Sequence, residues 1–501
     1  MDIAVLHNMS LLQAGLALVS LSVLLYLVTA IHSWYRLRHI PGPFFGRFSY
    51  LYLAYLQQSG RQYYIYRDEL TKFGHLVRVG PNELTTDDPD VLRRLTSARA
   101  QYTRDAWYTG GRWNPYTYSM FTTLDTRAHD DIKAKTAIGY GDKNSALEPG
   151  VDAQITSFVG VVRNKYLNGA KLLDFGTLTS YFTMDVITKA GFGEAFGYLE
   201  KEEDLFDFLA GVRDNWQFMG ITLDVPWLRD ILYSSVFLKL LGPRMTDEKG
   251  LGKLMKVGHD VIEKRMAKPK SARVDDMLGS FLSHGLTQDQ CENEALFMIV
   301  AGSETTASVI RVTVLHILSA PMVYHRLKNE VKEAIKDGRV SHQPIKIEEA
   351  KRLPYLQAVI YEGMRMRSPA PGLYPKVVPA GGDTLCGKFV PEGTAIGMNT
   401  SAMLASTRHF GEDANLFRPE RFLEVDDLKR SEMQRNVELI FGNGRWMCAG
   451  RPVAFMELNK IFFELFRNFD LQLAHPMTPW DSASWPVWVD ENMELKVTES
   501  A

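Results

Sequence analysis

The chain has 501 residues, 46% of them hydrophobic, and can therefore bury one large core or two ordinary ones. Its formal net charge of −2 shows no excess of basic residues, which argues against a nucleic-acid partner. The three cysteines are Cys291, Cys386 and Cys448. They lie far apart, without C-x-x-C or paired-histidine spacing, so the sequence suggests neither a disulfide framework nor a zinc site, and a reducing compartment fits best.

A long apolar segment lies near the N-terminus. Residues 11–31 contain no charged side chain and are numerous enough to span a bilayer. Arg36 and Arg38 follow this segment, whereas Asp2 is the one charged side chain before it. The positive-inside rule therefore predicts a transmembrane anchor with the bulk of the chain in the cytosol. A cleaved signal peptide is the alternative, but its positive charges would precede the apolar run.

The anchor divides the chain into segments. We expect residues 1–10 to form a lumenal N-terminus, 32–45 to form a basic and proline-rich hinge, and 46–501 to form one domain. The hinge follows from Pro41-Gly42-Pro43, because proline ends a helix and stiffens the chain.

The first half of the large domain predicts little sheet. Residues 76–86 predict a β-hairpin, because two strand-like stretches flank the turn residues Gly80-Pro81-Asn82. From about residue 90 to 285 the hydrophobic pattern is mostly helical and shows no internal repeat. The sequence therefore predicts a mainly α fold with a smaller β region.

Aromatic side chains are concentrated between residues 104 and 121. Trp107, Trp113 and Tyr116 belong to this segment, which is too irregular for a helix and too aromatic for an ordinary surface loop. It is a candidate apolar lid over a ligand. A loop packed against the core explains the composition equally well.

A long helix is predicted after residue 287. Thr287 and Gln290 have the spacing of a capping box, and the next proline is Pro321, so the helix can run for about 30 residues, or about 45 Å. Its middle holds Glu304 and Thr305 in an apolar run, and a carboxylate there is costly to bury unless it is paired or used.

Small residues precede this acid and alcohol. Ala301 and Gly302 remove bulk from one face of the helix, so a flat cofactor or a small ligand can approach there, and Thr305 projects toward the same gap. A satisfied polar pair inside a helical bundle is the alternative reading. With a cofactor present, Glu304 and Thr305 are candidate catalytic groups for proton delivery.

Residues 441–450 form a glycine-rich loop that contains Cys448 and precedes an amphipathic helix. Glycines allow positive φ and a close approach to a bulky partner, and we assign that use to Gly442, Gly444 and Gly450. The N–H groups at a helix N-terminus stabilise a thiolate, which is a strong iron ligand. A buried structural cysteine is the alternative.

This loop resembles the haem-ligand signature F-x-x-G-x-R-x-C-x-G of the cytochrome P-450 family, and Phe441, Gly444 and Cys448 match in register. Trp446 stands where the family has arginine, and Arg445 lies one residue earlier. The segment 301–306 also matches the family's A-G-x-[D/E]-T-[T/S] motif. With the anchor and hinge, the resemblance covers nearly the whole chain and implies the cytochrome P-450 fold, with 46–501 as the haem-thiolate catalytic domain.

The resemblance implies a haem b site. Cys448 is the implied axial ligand of the iron. Two positions at which the family often has arginine to hold a propionate carry lysine here, which offers a point charge instead of a bidentate fork. The implied cofactor-binding residues are His129, Lys133, Ala301, Gly302, Lys376, Phe441 and Arg445.

Other positions are implied to be structural or to line the substrate pocket. Glu362, Arg365 and Arg421 correspond to the family's buried charge cluster, which holds the cysteine loop in place. The aromatic segment lies where the first substrate-contacting loop is expected. Residues 480–489 predict a last substrate-contacting hairpin with Trp485 and Trp488 as candidates.

The implied activity is that of a haem-thiolate monooxygenase that inserts one oxygen atom of O2 into an apolar small molecule. The chain has no nucleotide-binding fingerprint. The implied electron donor is therefore a separate NADPH–cytochrome P-450 reductase, with cytochrome b5 as a second candidate, at the endoplasmic reticulum membrane. Residues 184–197 resemble those of fungal members in secondary metabolism, an analogy rather than a chemical argument. A haem-thiolate isomerase or dehydratase that does not use O2 is the alternative, and a non-catalytic haem protein is a further one.

Overall fold

A computed structural model describes residues 11–141, 144–167, 171–267 and 276–500. The predicted lumenal segment 1–10 lies outside the described residues. The helices of the N-terminal half are α1 Leu11–Leu37, α2 Leu51–Ser59, α3 Gln62–Phe73, α4 Pro89–Thr96, α5 Thr126–Tyr140, α6 Leu147–Tyr166, α7 Phe175–Phe192, α8 Tyr198–Lys201, α9 Phe208–Asp224, α10 Pro226–Leu232, α11 Ser235–Leu241 and α12 Gly250–Ala267.

The C-terminal half adds α13 Met277–Ser283, α14 Gln288–Ser319, α15 Pro321–Lys336, α16 Ile347–Ala350, α17 Pro354–Met366, α18 Thr400–Leu404, α19 Thr407–Phe410, α20 Asp427–Val437 and α21 Arg451–Asn468. The strands are β1 Leu76–Arg78, β2 Glu83–Thr86, β3 Thr103–Arg104, β4 Leu173–Asp174, β5 Lys376–Val377, β6 Asp383–Leu385, β7 Lys388–Val390, β8 Ala395–Met398, β9 Phe469–Leu473, β10 Asp481–Ser484, β11 Trp488–Glu491 and β12 Glu494–Glu499. The predicted mainly α fold with a smaller β region is confirmed.

The largest sheet has the strand order β1-β2-β8-β5-β3. Strands β1 and β2 form the predicted antiparallel hairpin, in which Leu76 pairs with Thr86. Strand β8 lies parallel to β2 and brings a distant part of the chain into the same sheet. A second sheet has the order β4-β12-β9, and two hairpins, β6-β7 and β10-β11, complete the described strands. The predicted C-terminal hairpin is therefore confirmed.

Helix α14 crosses the helical core and is 32 residues long, about 48 Å. The predicted capping box is present: Thr287 Oγ1 accepts from the N–H of Gln290, and Gln290 Oε1 accepts from the N–H of Thr287. The helix packs against α7, α12, α17 and α21. By length and hydropathy this helix could span a membrane. It is buried among these helices, however, and is therefore a core helix.

Helix α1 is the other candidate membrane span, with a mean hydropathy of 2.3 over an unburied stretch. It runs to Leu37, beyond the predicted end of the anchor at residue 31. Leu37 and Ile40 are fully buried in a cluster with residues of the large sheet. The N–H of Arg78 donates to Pro41 O at 2.8 Å. A Cβ at Gly42 would lie 2.0 Å from Arg78 O.

The segment 32–45, which we expected to act as a hinge, is therefore packed into the fold. Arg36 Nη1 donates to Glu392 O at 2.9 Å, which adds a contact to the loop before β8. The buried guanidinium of Arg78 donates to Pro81 O at 2.6 Å and to Arg47 O at 3.0 Å. The anchor helix consequently contacts the large domain through residues of this segment.

Candidate active site

The loop that carries Cys448 is closed on itself and docked on α4. The N–H of Cys448 donates to Phe441 O at 2.7 Å. Gly442 and Gly444 have φ of 74° and 58°, as predicted for glycines of this loop, but Gly450 has an ordinary φ of −76°. A Cβ at Gly444 would lie 2.6 Å from Thr96 O. Docking on α4 is therefore what requires glycine at position 444.

Cys448 lies just before α21 and retains accessible surface, although many protein atoms surround its thiol. Burial among protein atoms raises its pKa, while the N–H groups of Gly450 and Arg451 and the charge of Lys133 lower it. Burial prevails, so the helix N-terminus does not by itself produce a thiolate. A bound metal ion would deprotonate the thiol, because a coordinating thiol is a thiolate.

Trp446, at the position where the family has arginine, lies within a cluster of cations. The Arg104 guanidinium carbon lies 4.6 Å from the centre of the Trp446 ring, and Lys376 Nζ lies 5.5 Å from it. His129 packs on the same ring with 4.5 Å between ring centres. Burial and the charge of Arg104 lower the pKa of His129 to about 4, so this imidazole is neutral at neutral pH.

Arg104 and Lys376 are buried cations that form no ion pair within the described ranges. Lys376 Nζ donates to Tyr108 Oη at 2.6 Å, and Arg104 Nη1 donates to Thr123 O at 3.1 Å. Arg104 Nε has no hydrogen-bond partner among the described residues. Burial lowers the pKa of Arg104 to about 10 and that of Lys376 well below its usual value. Two such cations beside the cysteine loop are suited to bind the carboxylates of a ligand.

The other predicted cations are already engaged. Lys133 Nζ donates to Arg445 O at 2.6 Å and to Met447 O at 2.9 Å, and so holds the backbone of the cysteine loop. Arg445 pairs with Asp130, with 3.1 Å between Nε and Oδ2. Arg104 was missed in the sequence, because its contact with Trp446 joins positions far apart in the chain and no local motif marks it.

These features fit a haem. Cys448 offers a sulfur ligand, Arg104 and Lys376 offer charge for two propionates, and the aromatic rings nearby offer an apolar enclosure. Burial raises the pKa values of Tyr374 and Tyr140, and both rings lie close enough to Cys448 for a thiolate charge to raise these values further. The residues present therefore suit an anionic, flat cofactor with a metal that prefers sulfur.

On α14, the small residues have different roles. Thr305 Oγ1 donates to Ala301 O at 2.8 Å, so the hydroxyl lies along the helix next to this alanine. A Cβ at Gly302 would lie 2.7 Å from Ile187 Cγ1 on α7. The side of Gly302 that lacks a side chain thus faces a neighbouring helix, and helix packing requires the glycine, contrary to our interpretation that it clears room for a ligand.

Glu304 is fully buried and points toward α7 and α9. Arg311 Nη1 donates to Glu304 Oε2 at 3.1 Å, Arg213 Nη2 donates to Oε1 at 3.2 Å, and Ser180 Oγ donates to Oε1 at 2.8 Å. Burial alone would raise the pKa of Glu304, but the charges of Arg311 and Arg213 outweigh it and lower the pKa to about 2. In this arrangement Glu304 is a carboxylate held by two arginines.

A second buried carboxyl group faces α14 from α21. Glu457 is hydrogen-bonded to Thr306, the neighbour of Thr305, and burial raises the pKa of Glu457 well above its usual value. Its Oε2 has no hydrogen-bond partner among the described residues. Glu457 therefore joins the helix of the cysteine loop to the middle of α14.

The predicted substrate aromatics do not form one group. Trp107 Nε1 donates to Asp224 at 2.7 Å, and Trp113 packs edge-on against Trp216. Tyr116 is 47% exposed and donates to Pro243 O at 2.9 Å. This side chain is therefore committed to the surface rather than to an interior pocket.

The two predicted aromatics of the C-terminal hairpin lie in different surroundings. Trp488 is buried, donates from Nε1 to Ser368 O at 2.8 Å, and covers the Arg367 guanidinium. It is therefore part of the fold's interior. Trp485 lies at the tip of the β10-β11 hairpin and is half-buried near Gly60, where a Cβ would lie 3.8 Å from its Nε1.

Aromatic rings from three other segments do come together, and one of them, Tyr374, lies close to Cys448. Phe121 stacks on Phe297 of α14 with 5.0 Å between ring centres. Tyr374 contacts Phe121 at 6.3 Å and Trp107 at 5.2 Å. Phe297, Phe121 and Tyr374 are all half-buried, and Phe297 lies one turn before Ala301. These three rings form an apolar cluster. Sequence reasoning did not identify it, because its members are single residues in unrelated segments.

The structure brings Glu362, Arg365 and Arg421 together in a buried cluster. Arg365 binds Glu362 through two bonds of 2.7 Å, and Arg421 Nε donates to both Glu362 oxygens at 3.0 and 3.1 Å. Arg365 also donates to Leu404 O at 2.9 Å. The cluster therefore joins α17 to the segment that leads toward the cysteine loop.

The fold and this site define a haem-thiolate protein, and comparisons with known proteins agree. The model of the cytochrome P-450 family matches residues 53–497. The chain is 52% identical over 471 residues to cytochrome P-450 monooxygenase aba1 of Botryotinia fuckeliana, covering 93% of this chain and 92% of the relative. It is 45% identical over 467 residues to cytochrome P-450 monooxygenase abl1 of Leptosphaeria maculans, covering 91% and 82%.

A third relative, cytochrome P-450 monooxygenase ABA1 of Pyricularia oryzae, is 42% identical over 486 residues and covers 95% of both chains. The crystal structure of the cytochrome P-450DA haem domain superposes with a TM-score of 0.70 over 92% of this chain and 98% of that chain. At 17% identity, this likeness shows the fold alone.

The chain belongs to the cytochrome P-450 family. It is a haem-dependent monooxygenase, and the prediction of a haem-thiolate monooxygenase of the fungal secondary-metabolite type is confirmed. The family implies a redox partner and a small-molecule substrate. The N-terminal helix is compatible with a single-pass membrane anchor.

Proposed function

We propose that Cys448 is the axial thiolate of a haem b and that this enzyme hydroxylates or otherwise oxidises an apolar secondary metabolite. The observation that carries the assignment is the accessible Cys448 thiol in a loop fixed by Lys133 and flanked by the buried cations Arg104 and Lys376. Bound haem supplies the chemistry of O2 activation.

The chain holds and orients the cofactor. Arg104 and Lys376 would receive the propionates, with Trp446 between them, because these two cations lie beside one ring and lack carboxylate partners within the described ranges. Lys133 and Arg445 would act indirectly, through the loop backbone and Asp130. His129 would support the Trp446 ring as a neutral imidazole.

Protons would be supplied from the α14 side. Thr305 presents a hydroxyl next to Ala301, and we assign it the positioning of a proton at its Oγ1. Glu304 would take up protons from solvent after release from an arginine, since a carboxyl group with a pKa of about 2 is ionised at neutral pH. Phe297, Phe121 and Tyr374 would exclude water and contact the substrate.

Electrons would come from NADPH through a separate NADPH–cytochrome P-450 reductase, with cytochrome b5 as an accessory donor. We place the enzyme in the endoplasmic reticulum membrane, with residues 1–10 in the lumen and α1 as the span. The support is the uncharged run 11–31 followed by Arg36 and Arg38. The catalytic domain includes the packed segment after residue 32 as well as 46–501.

A carbon monoxide difference spectrum of microsomes that contain the full chain tests this proposal. Reduction by NADPH should give a red-shifted Soret band, and the Cys448→Ser variant should lack it. A band that needs dithionite would retain the thiolate but contradict the reductase partnership. Equal bands in both proteins would overturn the assignment of Cys448.

Thr305→Ala tests the proton role. The variant should keep the carbon monoxide spectrum and consume NADPH while releasing hydrogen peroxide in place of product, because the hydroxyl at Oγ1 is lost. Unchanged product formation per NADPH would contradict the role of Thr305. An enzyme of the isomerase or dehydratase type would instead form product without NADPH.

A further inference from the structure

The two arginines that hold Glu304 differ in their freedom. The Arg311 side chain has no exposed surface and donates to Thr179 Oγ1 at 2.9 Å and to Gly176 O at 3.0 Å in addition to Glu304. Arg213 retains 16% of its side-chain exposure, and its Nε has no hydrogen-bond partner among the described residues. Arg311 is therefore fixed, whereas Arg213 is held at its guanidinium end.

Arg213 is shared between a buried and an exposed carboxylate. Its Nη2 lies 3.2 Å from Glu304 Oε1, and its Nη1 lies 3.5 Å from Glu491 Oε1. The Glu304 side chain has no exposed surface, whereas that of Glu491 is 54% exposed. The guanidinium fork can move toward either oxygen by rotation of a long side chain.

A cavity of about 150 Å³ lies on the outer side of Arg213. Arg213, Glu491, Asp204, Asp214 and Tyr181 line it, so three acidic residues share this cavity with the arginine. The lining of the cavity is partly polar, and the cavity is large enough to hold several water molecules. Arg213 therefore lies between this cavity and Glu304.

The C-terminal hairpin contacts both arginines. Asp490 of β11 accepts from Arg367 at 2.6 and 3.0 Å, and its Oδ2 lies 3.9 Å from Arg311 Nη1. Glu491, the next residue on β11, pairs with Arg213. One strand thus supplies the acid beside the fixed arginine and the acid beside the movable one.

We propose that Arg213 and Glu491 form a gate for proton entry, in which Arg213 leaves Glu304 for Glu491 and lets cavity water reach the Glu304 carboxylate. The proposal rests on the proton role of Glu304 proposed above. In the open arrangement a hydronium ion of the cavity gives its proton to Glu304 Oε1 and becomes water, while the Arg213 charge is balanced by Glu491. Arg213 and Glu491 are positioning residues, because they act through Glu304.

Two substitutions on opposite sides of the gate should have opposite effects. Arg213→Gln removes one of the charges that lower the pKa of Glu304, and an opposite charge at this distance is worth about one pKa unit, so the protonated fraction should rise about tenfold. Glu491→Gln removes the alternative partner of Arg213 and should keep Glu304 paired. Asp481→Asn is the matched control, because Asp481 is exposed on the same hairpin opposite Glu491 in register and contacts neither arginine.

The measurement is NADPH oxidation and peroxide release by the full-length haem enzyme with a microsomal-type reductase in excess, in H2O and in D2O. Relative to the unchanged protein, the solvent isotope effect should fall in Arg213→Gln and rise in Glu491→Gln, and Asp481→Asn should match the unchanged protein. The carbon monoxide spectrum of each variant checks that the haem site is intact. Arg213→Lys, which keeps a charge but not the fork, should lie between the two.

The outcomes separate the gate from the proton role. If Glu304→Gln leaves the isotope effect unchanged, the proton role of Glu304 falls and the gate falls with it. If Glu304→Gln changes the isotope effect but Arg213→Gln and Glu491→Gln move it in the same direction or not at all, the gate alone is overturned.

Discussion

Arg104 stacks on Trp446, with 4.6 Å between its guanidinium carbon and the ring centre, at the position where related enzymes have an arginine in the cysteine loop. The positive charge is thus supplied from β3, and the loop supplies an aromatic surface that supports it. Lys376 of β5 contacts the same ring. Arg104, Lys376 and Trp446 thus take the place of one arginine of the loop, and the two positive charges come from strands of the sheet.

We expect Arg104→Met and Lys376→Met each to weaken haem retention by about tenfold or more, because a charge-assisted hydrogen bond contributes about 1.5–3 kcal/mol. Haem per protein after purification and the rate of haem transfer to apomyoglobin measure this. Arg445→Met is the control, since Arg445 pairs with Asp130 and should lose little. A larger loss in the control than in either variant would contradict the assignment.

Arg311→Met should destabilise the protein by about 3–5 kcal/mol, because it leaves the buried Glu304 carboxylate without its closest charge partner. Chemical denaturation monitored by circular dichroism measures the change. Lys135→Met, which removes an exposed helical pair with Asp131, should cost less than about 1 kcal/mol. Equal effects would show that the Glu304–Arg311 pair contributes no more than a surface pair.

The Glu304–Arg311 pair should also make the free energy of unfolding depend on pH in the acid range. The pKa of Glu304 is lowered to about 2 from the ordinary 4.5, so its stabilisation is present above about pH 4.5 and is lost as the pH falls toward 2. The shift corresponds to about 3 kcal/mol. In Arg311→Met, the free energy of unfolding should fall less over this acid range.

Glu294 should have the opposite pH dependence. Burial raises its pKa to about 7, against the N–H of Met120 and the charge of Arg104, which lower it. A raised carboxyl pKa contributes stability at low pH that is lost as the pH rises from about 4.5 through about 7. Glu294→Gln should therefore be more stable than the unchanged protein above pH 7 and should remove this slope.

Thermal unfolding midpoints on either side of pH 7 measure the Glu294 effect. Glu292→Gln, on the same helix but paired with His259 near the surface, is the control and should leave the slope in place. An unchanged slope in Glu294→Gln would mean that Glu294 is ionised in the folded protein at neutral pH.

Gly302→Ala should cost about 1–3 kcal/mol by overpacking, because its Cβ would lie 2.7 Å from Ile187 Cγ1. The double variant with Ile187→Ala should be more stable than the sum of the single changes predicts, since the added methyl then fills the space that Ile187 left. Denaturant unfolding of the four proteins measures the coupling. Strict additivity would contradict the contact between α7 and α14 at this position.

Two N-terminal truncations should separate the contribution to stability of the exposed part of α1 from that of residues 32–45. A chain that begins at Ser33 loses the exposed part of α1 and should retain its unfolding midpoint in detergent. A chain that begins at residue 46 also loses Leu37 and Ile40, two fully buried side chains worth about 1.5–3 kcal/mol each. We expect the second chain to be less stable by about 3–6 kcal/mol, and equal stability would show that residues 32–45 are a free hinge.

Local patterns in the sequence determined the mainly α fold, the β1-β2 hairpin, the capped helix α14 and the cysteine loop. Each depends on residues close in the chain: a capping box at Thr287, a turn at Gly80 and a motif that ends at Cys448. Hydrophobic periodicity and turn chemistry act over a few residues, so they are legible without tertiary information.

Only the tertiary structure decided how distant charges and rings are paired. Arg104 with Trp446, Glu304 with Arg213, and Phe121 with Phe297 are contacts between segments that no local pattern connects. The same reason explains the role of Gly302, whose packing partner lies on another helix. Burial and charge pairing depend on which surfaces meet in space, and they set the ionisation of Glu304 and the packing of residues 32–45.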